Sequence, residues 1–305
     1  MKLLVLLFMT LSSYNIFSMS DIKAHFSING KTSHHFMFMP NKPTSIEVFF
    51  TSTKTGEVLK DFKIMHGKIM HMVVIKDDLS VFKHVHPYFD PVTGRFNLTI
   101  NMPYSDPDNF HAQNTITEPG MYMIMADVEI KGYGMRMGHI MAHVMGTSYD
   151  QELSLDPFDP MTNTITKIHS EHGKNYKFKL SYSMDQGCNG HLIEFQSVLY
   201  IEDEFGNYKK VNDIQPWLGE GAHAVWASEG LMNHHGMGMH YAHMHSRLAP
   251  EEVQDKTMFY SFHDKNIMKR GTQKAWFQIK HQDKVLTIPV VFNYAPQTEY
   301  RNDCQ

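Results

Sequence analysis

Met70-His71-Met72-Val73-Val74-Ile75-Lys76-Asp77-Asp78-Leu79-Ser80-Val81-Phe82-Lys83-His84-Val85-His86-Pro87 holds two runs of β-forming residues joined at an acidic pair. Its spacing predicts a hairpin of Met70–Lys76 with Leu79–His86, turning at Asp77-Asp78. With a two-residue loop His71 faces His84 and Ile69 faces His86. Opposed residues share a face, with Cβ atoms about 5 Å apart, and side chains repeat every two residues. His71, His84 and His86 therefore converge at one end of the hairpin. Val73, Ile75 and Phe82 lie further along that face as core residues, which puts the imidazoles where a sandwich core ends. A single-residue slip of register would scatter them.

Working outward, the same period of two recurs at Ser45–Thr51, Arg95–Ile100, Met121–Val128, His191–Ile201, Ala275–Lys280 and Val285–Phe292. Turn signals separate these runs at Thr93-Gly94, Glu118-Pro119-Gly120, Glu204-Phe205-Gly206-Asn207 and Arg270-Gly271. No convincing amphipathic helix interrupts them. The fold class expected is all-β: two tandem Ig/cupredoxin-like β-sandwich domains.

The second sandwich is expected because the motif returns. Gly221-Ala222-His223-Ala224-Val225-Trp226-Ala227 precedes Tyr241-Ala242-His243-Met244-His245. His71 to His84 is 13 positions and His223 to His243 is 20, whereas the last pair is two apart in both. An insertion of seven, Met232–Gly238, accounts for the difference. Asp156-Pro157-Phe158-Asp159-Pro160 marks a boundary, because proline supplies no ladder N–H. The expected layout is a signal peptide at 1–20, a sandwich at 42–146, a linker at 147–172 and a second sandwich at 173–296. Whether the two histidine triads form separate sites or meet between domains is left open by the sequence.

Composition points to metal. The 24 Met and 21 His make up 45 of the 305 residues, and thioether and imidazole are ligands for soft and borderline transition metals. A net charge of −4 excludes a strongly basic nucleic-acid footprint. Hydrophobic residues at 42% and aromatics at 12% exclude disorder. Lys2 followed by the apolar run Leu3–Leu11 reads as a signal peptide, with Ser18 and Ser20 before a cleavage point, so a periplasmic or secreted location is expected. No later stretch approaches 18 apolar residues, so no membrane span is expected in the mature chain. Cys188 and Cys304 are expected to pair in an oxidising compartment.

Further ligands are expected around the triads. His66 precedes the first strand. His139, Met141 and His143 alternate and would face one way on a strand. Met121, Met123 and Met125 form a one-sided stripe read as core packing. In the insertion, His234, His235, Met237, Met239 and His240 form a soft-metal trap with His243 and His245 beside it, and His34-His35-Phe36-Met37-Phe38-Met39 is a weaker version. Thioethers select Cu(I), whereas imidazole accepts Cu(II), zinc or nickel. Copper is therefore the expected metal, as Cu(I) or Cu(II), with zinc second. The expected metal ligands are His66, His71, His84, His86, His139, Met141, His143, His223, His234, His235, Met237, Met239, His240, His243 and His245.

Residues 70–87 resemble a signature of exported bacterial proteins: Met-His-Leu, three apolar or small residues, then Asp-Leu-Ser-x-Phe-x-His-x-His-Pro. Such proteins are often duplicated and associated with copper-resistance or cupredoxin-like β-sandwich domains. The resemblance is close over residues 66–87 and extends through flanking strands to about 146. It implies the sandwich fold and a metal-related role, and it carries over only His71, His84, His86 and their second-copy equivalents. The second copy keeps three histidines but lacks Asp-Leu-Ser, and Ser246 stands where the proline would be.

The expected function is copper buffering, delivery or resistance without an enzymatic activity. The expected partners are metal ions and a copper-handling protein, with no nucleic acid. A structural or adhesive sandwich without metal is the main alternative. Three others are weighed. Blue-copper electron transfer would need a thiolate such as Cys188 in the centre. A copper oxidoreductase would use His25 as the first residue after cleavage at Ala24. A hydrolase lacks its His-Glu-x-x-His, because His169-Ser170-Glu171-His172 has the wrong spacing.

Overall fold

A computed structural model describes residues 21–32, 35–38, 44–100, 119–147, 152–187, 190–230, 240–246, 257–264 and 271–294. Among the described residues every regular element is a strand, and no helix is long and apolar enough to cross a membrane. The first half contains β1 (Ile22–Ile28), β2 (Lys31–Thr32), β3 (His35–Phe38), β4 (Thr44–Ser52), β5 (Phe62–Lys63), β6 (Met70–Lys76), β7 (Phe82–Val85), β8 (Tyr88–Asp90), β9 (Arg95–Ile100), β10 (Gly120–Ile130) and β11 (Gly134–Val144). The second contains β12 (Phe158–Asp159), β13 (Thr164–Glu171), β14 (Lys174–Gly187), β15 (Gly190–Glu202), β16 (Tyr208–Lys210), β17 (Ile214–Gln215), β18 (Ala222–Ser228), β19 (Tyr241–Ser246), β20 (Thr257–Asp264), β21 (Gly271–His281) and β22 (Lys284–Tyr294).

Two tandem β-sandwiches result. The first packs the sheet β2-β1-β4-β9-β8 on the sheet β3-β11-β10-β6-β7, with β5 also on β10. The second packs β12-β13-β14-β15-β16, with β20 on β15, against β17-β21-β18-β19, with β22 on β21. β4 alternates strictly between buried and less buried positions, as a strand with one covered face must. The first sandwich begins at β1, ahead of the expected position 42, because β1 pairs along its length with β4. The second begins within the expected linker. The two prolines confine β12 to two edge residues, but β13 after them pairs over eight positions with β14.

β6 and β18 are buried at all seven positions. Each is covered on both faces, which is why both are mostly apolar, with a histidine at the second position and one polar residue at the end of each. Met70, Met72 and Val74 enter the core of the first sandwich, and Ala222, Ala224 and Trp226 enter that of the second. The opposite faces meet each other. Val73, Ile75, Leu79, Phe82, Met123 and Met125 pack with Val225, Ala227, Tyr241 and Trp276 in one apolar seam between the sandwiches. The Phe82 ring stacks on Trp276 at 4.7 Å between centroids. Lys274 Nζ donates across the seam to the Leu79 carbonyl at 2.7 Å. Val73, Ile75 and Phe82, expected in a sandwich core, are thus seam residues, and the histidines on their face lie between the domains.

Candidate metal centre

The hairpin register differs from the expected one by two residues. Val73 pairs with His84 and Ile75 with Phe82, which sets His71 opposite His86. The loop is longer than Asp77-Asp78 because Leu79 turns left-handed (φ 60°), its N–H bonds the Lys76 carbonyl, and Asp78 caps the Ser80 N–H. A slip of two keeps every residue on its face, so the triad survives. The second copy has the same register: His223 opposes His245 and Val225 opposes His243.

The two triads form one cluster. The His71 ring lies 5.9 Å from that of His223 and 5.3 Å from that of His243, and His84 lies 5.0 Å from His243. His71, His84 and His243 bring one nitrogen each within 4.8 Å of one another, and so do His223, His243 and His245. His243 belongs to both groups. His86 flanks His71 and His84 at 5.0 and 4.8 Å.

A pair of tight turns supports the cluster. Met65-His66-Gly67-Lys68 and Trp217-Leu218-Gly219-Glu220 each place two central residues at positive φ (47° and 78°; 53° and 79°), the pattern of a type I′ turn. A Cβ on Gly67 would stand 3.3 Å from the Leu218 backbone, so the turns abut. The first residue of each turn accepts from the cluster: His71 Nε2 donates to the Met65 carbonyl at 2.9 Å and His223 Nε2 to the Trp217 carbonyl at 3.2 Å. The second histidine pair, His84 and His243, is held across the seam. His84 Nδ1 donates to Gln278 Oε1 at 2.7 Å, and His243 Nδ1 lies 3.5 Å from Asp127 Oδ2. Asp127 sits opposite His71 on β10 and Gln278 opposite His223 on β21, so they are equivalent positions of the two copies. The Tyr241 hydroxyl also donates to Asp127, at 3.2 Å.

Four imidazoles thus have an outer nitrogen fixed and an inner nitrogen turned toward the cluster. With His71 Nε2 and His84 Nδ1 acting as donors, His71 Nδ1 and His84 Nε2 face each other as lone pairs 3.0 Å apart. A cation between them relieves that repulsion, and an ion bonded to both at about 2.0–2.1 Å holds its donor nitrogens about 3 Å apart. Among the described residues, His86 Nε2, His223 Nδ1, His243 Nε2 and His245 Nε2 are buried without a hydrogen-bond partner. Unsatisfied buried nitrogens are costly, and four in one cluster fit a missing electrophile. A fixed outer nitrogen is also the usual support of a metal-bound histidine.

Electrostatics keep the donors neutral. Burial, reinforced by the neighbouring His243, lowers His71 to about 4. Burial, with the nearby imidazoles adding to it, lowers His86 and His223 to about 2 and pushes His84 and His245 far down. Neutral imidazole is the form that binds metal. A cavity of about 500 Å³ reaches His243 and His245 and is also lined by His66, Glu220, Gln196 and Ser261, which gives ions a path from solvent.

Of the other expected ligands, His66 joins the rim: its ring stacks 3.5 Å from that of His245 and its Nδ1 lies 2.6 Å from Glu220 Oε1. His139, Met141 and His143 lie on one face of β11, as expected, but pair with Met125, Met123 and Met121 and not with the cluster. Met123 and Met125 pack in the seam, whereas Met121 is exposed. His240 immediately precedes β19, and its carbonyl accepts from the Ser228 N–H. His234, His235, Met237, Met239, Cys188 and Cys304 lie outside the described residues. His25 lies within β1, stacked on Phe49 and bonded to Thr51 Oγ1 at 2.8 Å. Sequence reasoning missed Asp127, Gln278, Glu220 and Tyr241. The one carboxylate within the otherwise apolar run Met121–Val128 was the available signal for Asp127.

The duplication has a counterpart among known families, since one family profile matches the chain twice, over residues 31–146 and 175–295. The chain belongs to the DUF8832 family. That family is described as a domain of unknown function, and two DUF8832 units make up the two sandwiches. No curated protein matches the chain. Among solved structures it is similar to the sporulation control protein Spo0M of Bacillus subtilis, with 13% identity over 57% of this chain and 78% of that one and a TM-score of 0.23. It is also similar to Salmonella alpha-2-macroglobulin reacted with methylamine, at 10% identity over 88% and 14% of the two chains, with a TM-score of 0.21. Carbohydrate-binding modules of the β-sandwich superfamily give 8% identity over 91% and 100%, with a TM-score of 0.20. Likenesses this weak carry no argument about activity.

Proposed function

We propose that this DUF8832 protein is an exported copper-binding protein that buffers or delivers the metal from an imidazole centre between its two sandwiches. The observation that carries the reading is the convergence of six imidazoles: His71, His84, His223 and His243 are each held through one nitrogen, and His86, His223, His243 and His245 each keep a buried nitrogen without a hydrogen-bond partner. His223 and His243 are held through one nitrogen and left bare at the other, an arrangement that packing alone does not require. His71, His84 and His243 would hold one ion, and His223, His243 and His245 the alternative position for it. The all-imidazole donor set suits Cu(II) and also admits zinc, and the 24 methionines of the chain favour copper. The proposed role is carriage, with a copper-handling protein as the receiving partner.

The test is metal content of protein purified from its native compartment, then Cu(II) and zinc titration. Copper should be bound tightly, and His243→Gln, which removes the shared ligand, should weaken it at least 100-fold while the folded spectrum is kept. Absence of tight copper or zinc binding in the parent protein, or unchanged stoichiometry and affinity in His243→Gln, would refute the proposal.

A further inference from the structure

On the far end of the seam sheet from the imidazole cluster, three strands line up a second set of ligands. β10 pairs with β11 so that Met121 opposes His143 and Met123 opposes Met141. β3 runs parallel to β11 on its other side, with Met37 opposite His143. Directly opposed residues share a face with Cβ atoms about 4.5–5.5 Å apart. Met37, His143 and Met121 thus form one row across three strands, with Met141 and Met123 in the next row. Met37 is 66% exposed and Met121 39%, His143 and Met141 are half-buried, and Met123 is buried.

The second copy provides an internal control. β21 and β22 form the same pairing, and their equivalent positions hold Thr272 opposite Asn293 and Lys274 opposite Val291. The fold makes the strand pair without thioethers or imidazole there, so the pairing itself does not require them. The exposed sulfurs of Met37 and Met121 are open to an incoming ion.

We infer that Met37, Met121, Met141 and His143 form a second, soft-metal site selective for monovalent Cu(I), distinct from the imidazole centre. Thioether is the protein ligand that best discriminates Cu(I) from divalent ions, and the exposed sulfurs allow exchange. Six residues of β10 separate Met121 from Asp127, which contacts the imidazole cluster. At about 3.4 Å per residue that is about 20 Å, too far for a shared ion. The two sites therefore divide copper by oxidation state: soft ion on the sheet face, imidazole-bound ion in the seam.

The experiment uses full-length protein labelled with [methyl-13C]methionine and titrated with Ag(I), an air-stable stand-in for Cu(I). The methyl signals of Met37, Met121 and Met141 should shift together and saturate at one equivalent, in the parent protein and in His243→Gln alike. Met37→Leu/Met121→Leu/Met141→Leu should lose at least 10-fold in affinity for this ion and keep its Cu(II) and zinc binding, which shows that it is folded. Shifts confined to other methionines, or Ag(I) affinity unchanged in a triple variant that still binds zinc, would overturn the inference. If that variant fails to fold, the parent titration still decides.

Discussion

Lowering the pH from 7.5 to 5 should remove about 4 kcal/mol from the stability of the metal-free protein through His71 and His223 alone, and the burial of His84, His86 and His245 adds to the loss in the same direction. His71 and His223 are 1% and 0% exposed. Burial holds His71 at about 4 and His223 at about 2 in the fold, against 6.5 for the ordinary imidazole. Below pH 6.5 the unfolded chain binds protons that the folded one refuses, so stability falls as pH falls through 6.5, and for His71 the loss stops near pH 4. Each group contributes about 1.4 kcal/mol per pH unit in that window, hence about 2 kcal/mol each by pH 5 and about 4 kcal/mol for the two. Domains are stable by only about 5–15 kcal/mol, so the effect is large. Carboxylates titrate near 4 and leave the window from 6.5 to 5 to the histidines. Urea unfolding followed by tryptophan fluorescence, in chelator at half-unit steps of pH, measures it. Copper at about 100-fold above its dissociation constant should restore about 2.7 kcal/mol at pH 7, and less as protons compete for the same nitrogens. A urea midpoint flat from pH 6.5 to 5 in chelator would refute the buried, neutral cluster.

Other outcomes follow from particular contacts. Asp127→Asn weakens the outer support of His243 and should reduce copper affinity about 10- to 100-fold, read by competition titration, with little change in the metal-free fold. Gly67→Ala places a side chain at φ 78° and 3.3 Å from the Leu218 backbone. It should cost at least 1 kcal/mol in urea unfolding and lower copper affinity, because the turn carries the Met65 carbonyl. Phe82→Ala removes the ring stacked on Trp276. It should destabilise by about 3 kcal/mol and shift tryptophan emission, with the histidine spacing preserved by β6.

How much was legible can be judged from β6 and its hairpin. Period-two patterning placed the strands, and the shared spacing of His84-Val85-His86 and His243-Met244-His245 marked the duplication. The register itself was missed, because the extra loop residues adopt a left-handed turn at Leu79 that composition does not announce. The error was harmless only because it was even. The layer that β6 faces was also misread. An apolar run buried on both sides does not say what covers each side, and Val73, Ile75 and Phe82 turned out to face another domain.

The sequence by itself determined the all-β class, the repeat and the parity that puts three histidines on one face of each copy, because these follow from local alternation along a strand. The tertiary structure alone decided that the two triads make one centre, that Asp127 and Gln278 reach across to orient it, and that His243 is shared. Those relations join residues more than a hundred positions apart, such as Asp127 with His243 and His84 with Gln278. They arise when two apolar faces of like shape bury each other, an energy that belongs to the pair of sandwiches and is written in neither strand.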